Sequence, residues 1–269
     1  MDAPIFLKLG GSLITDKRRP HTARRDTLKR LAAEIAAFRR VTPHLPLLLG
    51  HGSGSFGHVP AKKYATRAGL TASTQGEYWL GFTEVWQEAA TLNRIVMDAL
   101  REAGIPALAF PPSATLLARD GKIAAWDLTP LRRALEAGIV PVVYGDVVFD
   151  QSLGGTILST EDLFGFLAAT LSPQRILLAG LEDGIYADFP ARKRRVARVS
   201  PASYAEIRAQ VGASVATDVT GGMDSKVRSM LQLVEKNPAL TVSIFSGEVE
   251  GAVQRALLGE NLGTLISAN

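Results

Sequence analysis

Two glycine-rich turns are the parts of this chain best suited to chemistry on an anion: Gly10-Gly11-Ser12 after the apolar run Ile5–Leu9, and Gly52-Ser53-Gly54 with Gly57 after Leu45–Leu49. Glycines at such points let bare backbone N–H groups converge on negative oxygens. Two such cradles suggest phosphoryl transfer between two phosphate-bearing ligands. Three lysines fit that chemistry. Lys8 lies inside an apolar run, where a cation is costly to bury unless an anion or carboxylate meets it. Lys17 follows Thr15-Asp16, and Lys226 falls in the first turn of a helix opened by Thr220-Gly221-Gly222, where free N–H groups favour anions. Each lysine alone has an ordinary reading as an edge, loop or surface residue; their occurrence beside two glycine turns makes the joint reading functional. His58 closes the second turn and is placed to hydrogen-bond a phosphate. Asp162, in Ser159-Thr160-Glu161-Asp162, opens a helix: such acids usually cap, and the functional alternative is a carboxylate that orients lysines. Asp146 in Tyr144-Gly145-Asp146 is the other candidate carboxylate.

Other chemistries fit less well. Gly52, Gly54 and Gly57 satisfy the dinucleotide pattern G-x-G-x-x-G, but Glu77 sits in a helix-period segment with Tyr78, Phe82, Val85 and Trp86, not at a strand end. The chain has no G-x-x-x-x-G-K-[ST]. His21 and His44 have no supporting pattern, and neither His51 nor His58 has a ligand partner at helical spacing, so no metal site is expected. The run Arg192-Lys193-Arg194-Arg195 with Arg198 lacks interleaved aromatics and reads as a solvated hairpin or loop, with a clamp over a nucleotide phosphate as the alternative.

The elements that must position these residues follow from periodicity. Ile5–Leu9, Leu45–Leu49, Ala107–Phe110, Ile139–Tyr144, Arg175–Ala179, Thr241–Phe245 and Gly263–Ile266 read as strands. Between the first two, Leu28, Leu31, Ile35 and Phe38 mark one face of a helix. Repetition of this unit predicts an α/β sandwich whose mostly parallel sheet carries ligand loops at its strand C-termini. Asp120-Gly121 predicts one hairpin, and Val147 through Gly154-Gly155 to Leu158 a second. A join between lobes is expected near Leu171-Ser172-Pro173. The 269 residues, 46% hydrophobic, suffice for a sizeable core. Thirty basic against 26 acidic residues give a net charge of +4, which suits anionic ligands but not a nucleic-acid partner. With no cysteine, no apolar run of membrane-spanning length and no signal-like N-terminus, a cytoplasmic protein without a membrane partner is expected.

These residues resemble the amino acid kinase superfamily and, within it, the isopentenyl phosphate kinases. The resemblance spans Lys8-x-Gly10-Gly11-Ser12 with Thr15-Asp16-Lys17, His51-Gly52-Ser53-Gly54-Ser55-Phe56-Gly57-His58, Tyr144-Gly145-Asp146-Val147, Asp183-Gly184-Ile185-Tyr186, and Asp218-Val219-Thr220-Gly221-Gly222-Met223 with Lys226. Ser-Phe-Gly-His is the most selective element, shared with fosfomycin kinases. The resemblance implies a three-layer α/β/α sandwich in one amino acid kinase domain over 1–269, with an acceptor-binding lobe at 1–171, a nucleotide-binding lobe at 172–269 and a homodimer. It implies transfer of the ATP γ-phosphoryl to isopentenyl phosphate with Mg²⁺. Lys8, Lys17 and Lys226 then neutralise the migrating phosphoryl, His58 holds the acceptor phosphate and Asp162 organises the lysines. Gly10, Gly11, Ser12, Gly52, Ser53, Gly54, Gly57, His58 and Gly145 are implied on the acceptor side. Lys8, Gly10, Asp183, Gly184, Tyr186, Gly221, Gly222 and Lys226 are implied on the nucleotide side. Gly180-Leu181-Glu182 departs from the Thr-Asp-Val of many relatives. Alternatives are a kinase of the same fold for another phosphate or phosphonate, and a non-catalytic oxyanion binder, against which the four charged residues argue. Phe56, Tyr64, Tyr78, Trp79, Phe82 and Trp86 are candidates to line an isoprenoid-tail pocket or to be plain core.

Overall fold

A computed structural model of the chain describes residues 2–71, 75–188, 191–211 and 222–269. Its main sheet has eight strands in the spatial order Arg198–Val199, Thr264–Ile266, Thr241–Ser246, Arg175–Gly180, Ile5–Leu9, Leu47–His51, Val140–Tyr144 and Ala107–Ala109. All pairs are parallel except Thr241–Ser246 with Thr264–Ile266. All seven predicted main-sheet strands form, with ends displaced by a residue or two. The eighth, Arg198–Val199, is two residues long within the basic run and too short to show a period.

Because side chains alternate across a strand, the sheet separates two apolar layers. Phe6, Leu48, Val143 and Ile176 pack beneath the helices Thr129–Glu136, Thr160–Leu171 and Gly222–Lys236. Ile5, Leu7, Leu49 and Val142 pack against Arg25–Val41, Gln75–Glu102 and Ala252–Leu257. Lys8 falls on the Phe6 face, at the carboxyl end of the strand. The Thr160–Leu171 helix stops at Ser172, whose left-handed backbone (φ 46°) precedes Pro173. The sheet runs on past this point, since Arg175–Gly180 pairs directly with Ile5–Leu9.

Both predicted hairpins form, as Leu116–Arg119 with Lys122–Trp126 and Asp146–Asp150 with Gly154–Leu158, and they join into a four-stranded sheet. Asp150 fastens them. Its buried carboxylate accepts N–H donors from Asp120, Gly121, Ser152 and Leu153 at 2.8–3.1 Å. Burial opposes its charge, but these donors outweigh burial and hold its carboxyl below the ordinary range. The stabilisation is therefore complete above the ordinary aspartate pKa and is lost as pH falls through the lower folded value. Asp150→Ala strands the donors and should cost about 1–3 kcal/mol, read as a lower urea midpoint at unchanged m.

Candidate active site

A cleft of about 360 Å³ opens at the carboxyl ends of Ile5–Leu9, Leu47–His51 and Arg175–Gly180. Both glycine turns line it, and they press on one another. A Cβ on Gly11 would lie 2.4 Å from the Gly54 nitrogen, and one on Gly52 would lie 2.9 Å from that of Gly11. Only glycine permits this approach. Gly54 also has positive φ (52°), and it begins the helix Gly54–Lys63 that carries His58. Thr15 ties the turns together: its Oγ1 donates to the Gly11 carbonyl (2.7 Å) and accepts the Ser55 N–H (3.0 Å). The N–H groups of Gly10 and Gly52 bond to the carbonyls of Ala179 and Leu9, so they are spent within the fold. Gly11, Ser12, Ser53 and Gly54 remain at the cleft wall to meet a ligand.

Lys8, Lys17, His58 and Lys226 all line this cleft. The carboxylate between lysines is Glu161. It is buried, in contact with Lys8 Nζ and 3.8 Å from Lys226 Nζ. Burial disfavours its charge, yet the two lysines prevail and hold its carboxyl down to about 2. The sequence makes room for this. A side chain at Gly50, the strand neighbour of Lys8, would collide with Thr160 Cγ2 (2.5 Å) and the Phe164 ring (2.7 Å). Thr160 Oγ1 then donates to the His51 carbonyl at 2.6 Å, seating the first helical turn over the sheet.

Asp162, expected to organise the lysines, is instead a cap. It accepts the Ser159 N–H and Oγ–H at 2.8 and 2.7 Å, while Ser159 Oγ accepts the Asp162 N–H, and Arg67 lies 3.7 Å away. The spacing S-x-x-D contained this signal: the third residue of a capping box turns back to the cap, which leaves the second free to face inward.

His58 is half-buried at the wall, whereas His51 is fully buried beneath it. His51 stacks on Tyr144 (5.2 Å, 10°) with Nε2 at 3.2 Å from Asn93 Oδ1. Burial lowers its pKa to about 4, so it is neutral at physiological pH. Gly145 lines the cleft, while Gly57 packs against Ser53 Cβ, behind the wall. Asp146 is buried, with Oδ1 accepting the Val147 N–H at 2.8 Å; burial raises its pKa to about 7.

At the other end the cleft is walled by Gly180, Leu181, Glu182, Gly184, Tyr186 and Met223. Asp183 accepts the Tyr186 hydroxyl and Arg195 Nη1. Gly184 passes so close to Thr264 that a Cβ would lie 2.6 Å from its Oγ1. Gly222 opens the helix that carries Lys226; Gly221 lies outside the described residues. The basic run is an exposed hairpin, as expected, with Ile185–Tyr186 paired to Arg195–Val196. Arg192 departs from the rest of the run: it lines the cleft and pairs with Glu182 at 2.9 Å. Nothing in a run of like charges singles out which member turns inward. Among the described residues no group of His, Cys, Asp or Glu is placed to hold a metal ion, and no helix is long and apolar enough to cross a membrane.

The family model for the amino acid kinase family matches residues 4–246. The chain is 37% identical over 272 residues to the isopentenyl phosphate kinase of Methanothermobacter thermautotrophicus, covering 98% of each chain. It is 33% identical to that of Methanocaldococcus jannaschii, covering 97% of each. A solved isopentenyl phosphate kinase superposes with a TM-score of 0.83 at 34% identity, covering 98% of this chain and 99% of that one. The product complex of the Thermoplasma acidophilum isopentenyl phosphate kinase superposes with a TM-score of 0.77 at 25% identity, with the same coverage.

Proposed function

The chain belongs to the amino acid kinase family, and we propose that it transfers the γ-phosphoryl of ATP to isopentenyl phosphate, giving isopentenyl diphosphate and ADP. The observation that carries this reading is the convergence of Lys8, Lys17, Lys226 and His58 on one cleft walled by both glycine turns. The near-full-length likeness to isopentenyl phosphate kinases supports the choice of acceptor.

The acceptor is already ionised near neutral pH, so the enzyme's task is to bring two like charges together. An acceptor phosphate oxygen attacks Pγ, the bond from Pγ to the β–γ bridging oxygen breaks, and that oxygen leaves on ADP. No proton has to be abstracted. Gly11, Ser12, Ser53 and Gly54 supply N–H donors to the acceptor phosphate, and His58 donates a further hydrogen bond. Lys8, Lys17 and Lys226 meet charge that spreads over the migrating phosphoryl, where fixed positive groups contribute most. Glu161 keeps Lys8 and Lys226 charged and aimed. The cleft carboxylates Glu161 and Glu182 are each paired with a cation, so Mg²⁺ would be carried by the ATP phosphates rather than by a protein cage and would there supply further positive charge. Residues 1–171 form the acceptor-binding side and 172–269 the nucleotide-binding side. ATP as co-substrate suits a cytoplasmic protein, and the homodimer is what the family resemblance implies.

A purified preparation should release ADP with isopentenyl phosphate and with its isomer dimethylallyl phosphate, and not with amino acid carboxylates. Turnover of a phosphonate alone would favour the fosfomycin kinase-like alternative.

Ile157 lines the cleft and packs on a small apolar cluster of Ala61, Tyr78, Phe82, Val85 and Val147, and on our reading this side of the cleft receives the isoprenoid tail. Tyr78 and Phe82 are buried in that cluster, Phe56 belongs to the main core, and Trp79 and Trp86 are partly exposed. Ile157→Ala and Phe82→Ala should therefore raise relative kcat/KM for longer prenyl phosphates, by up to about fourfold per added methylene at ~0.8 kcal/mol each. Equal losses at every chain length would assign these residues to core packing alone.

A further inference from the structure

Lys17 sits on an exposed excursion closed at its base by the Asp16 N–H to the Thr22 carbonyl (2.9 Å) and a Thr15–Ala23 bridge. Inside the excursion Asp16 Oδ1 accepts the Arg18 N–H, and on the returning limb His21 ties the excursion to the neighbouring helices. The His21 N–H reaches the Ser55 carbonyl (3.4 Å), its ring meets the edge of Phe56 (centroids 6.0 Å, 82°), and Nδ1 lies 2.6 Å from Glu88 Oε2. Ser55 and Phe56 belong to the helix that carries His58, and Glu88 to the long helix Gln75–Glu102. His21 adopts left-handed backbone (φ 52°), which a non-glycine residue holds only where its surroundings enforce it. A half-exposed histidine thus joins the Lys17 excursion to the His58 helix.

We propose that the His21–Glu88 pair is a positioning device for catalysis: it fixes the Lys17 ammonium relative to the acceptor phosphate held near His58. The proposal rests on the role given above to Lys17. A flexible lysine on an untethered loop would still bind anions but would spend its charge over many positions, so loss of the tether falls on kcat more than on KM.

The test is a double-mutant cycle with ATP and isopentenyl phosphate, in which Lys17→Ala, His21→Ala, Glu88→Gln and the pairs Lys17→Ala/His21→Ala and Lys17→Ala/Glu88→Gln are compared. His21→Ala and Glu88→Gln should each lower kcat roughly ten- to a hundred-fold. In the Lys17→Ala background the same changes should matter less than about twofold, because nothing remains to position. His21→Gly suits the left-handed backbone better than histidine does and should still be as impaired as His21→Ala. Fully multiplicative losses, or a wild-type rate in His21→Gly, would overturn the positioning role while leaving Lys17 in place. Wild-type turnover in Lys17→Ala would overturn both the proposal and the role of Lys17 beneath it.

Discussion

Lys8→Ala is expected to lower kcat by roughly 30- to 1000-fold, equivalent to about 2–4 kcal/mol, while weakening substrate binding far less. Its ammonium is most valuable when the phosphoryl is in flight and its charge is spread over the equatorial oxygens. The same substitution has a second effect that must be separated from the first. Lys8 and Glu161 are a buried pair, so among the described residues removing the lysine leaves a buried carboxylate with Lys226 as its remaining cation, at 3.8 Å. Breaking a buried pair by deleting one partner costs about 3–5 kcal/mol. Lys8→Ala should therefore melt earlier as well as turn over slowly. Lys8→Ala combined with Glu161→Gln removes the stranded charge; its thermal midpoint should recover while its rate does not. Recovery of both would mean that Lys8 serves folding only. Two controls bound the result. Asp162→Asn perturbs the cap and should leave kcat within a few-fold of wild type, and Lys193→Ala, in the exposed run, should do the same. In the wild type the Glu161 contribution has a definite sign: its depressed pKa makes the stabilisation complete above the ordinary glutamate value and lost as pH falls towards about 2.

The capping box shows why part of this site was open to sequence reasoning and part was not. Glycine turns at strand ends, a lysine within an apolar run and a histidine closing the second turn are local patterns, and the structure brings Lys8, Lys17, His58 and Lys226 to one cleft. The organising carboxylate is a matter of one residue. Both acids follow the same serine, and the choice between them is made by which way the first helical turn faces once Gly50 lets Thr160 and Phe164 settle on the sheet. That contact joins residues over a hundred positions apart, so the S-x-x-D spacing marks Asp162 as the cap while the place on the sheet that Glu161 reaches leaves no period to read. The same holds for strands. Runs of five apolar residues are legible, but Arg198–Val199 gains its place only by pairing with Leu265 and Ile266. Arg192 is distinguished from its basic neighbours by its salt bridge to Glu182 and the cleft it faces.

His58→Ala is expected to nearly abolish turnover, whereas His58→Asn and His58→Gln, which keep an N–H donor, should retain a measurable part of it. The prediction follows from what the acceptor needs. A phosphate oxygen is already a nucleophile, so the histidine serves by donating to a neighbouring oxygen as charge builds between two anionic groups. A carboxylate acceptor would give this donor no comparable task. If His58 instead acted as a base, neither amide could replace it, and wild-type activity would show an acid limb after correction for titration of the substrate phosphate. His51 cannot take over either role. It is fully buried and engaged with Tyr144 and Asn93, and burial keeps it neutral down to about pH 4. Amide variants as inactive as the alanine variant, together with an acid limb in the wild type, would replace the donor with a base. Wild-type rates in His58→Ala would remove the histidine from the acceptor site.

Phosphorus NMR of a reaction containing the wild-type protein, ATP, Mg²⁺ and isopentenyl phosphate identifies the bond that forms. The expected result is loss of the monophosphate resonance and of the ATP γ signal in equal amounts, with matching growth of ADP and of two coupled phosphorus signals from a new alkyl diphosphate. ATP consumed with the monophosphate signal intact, its γ-phosphoryl appearing as inorganic phosphate, would contradict it.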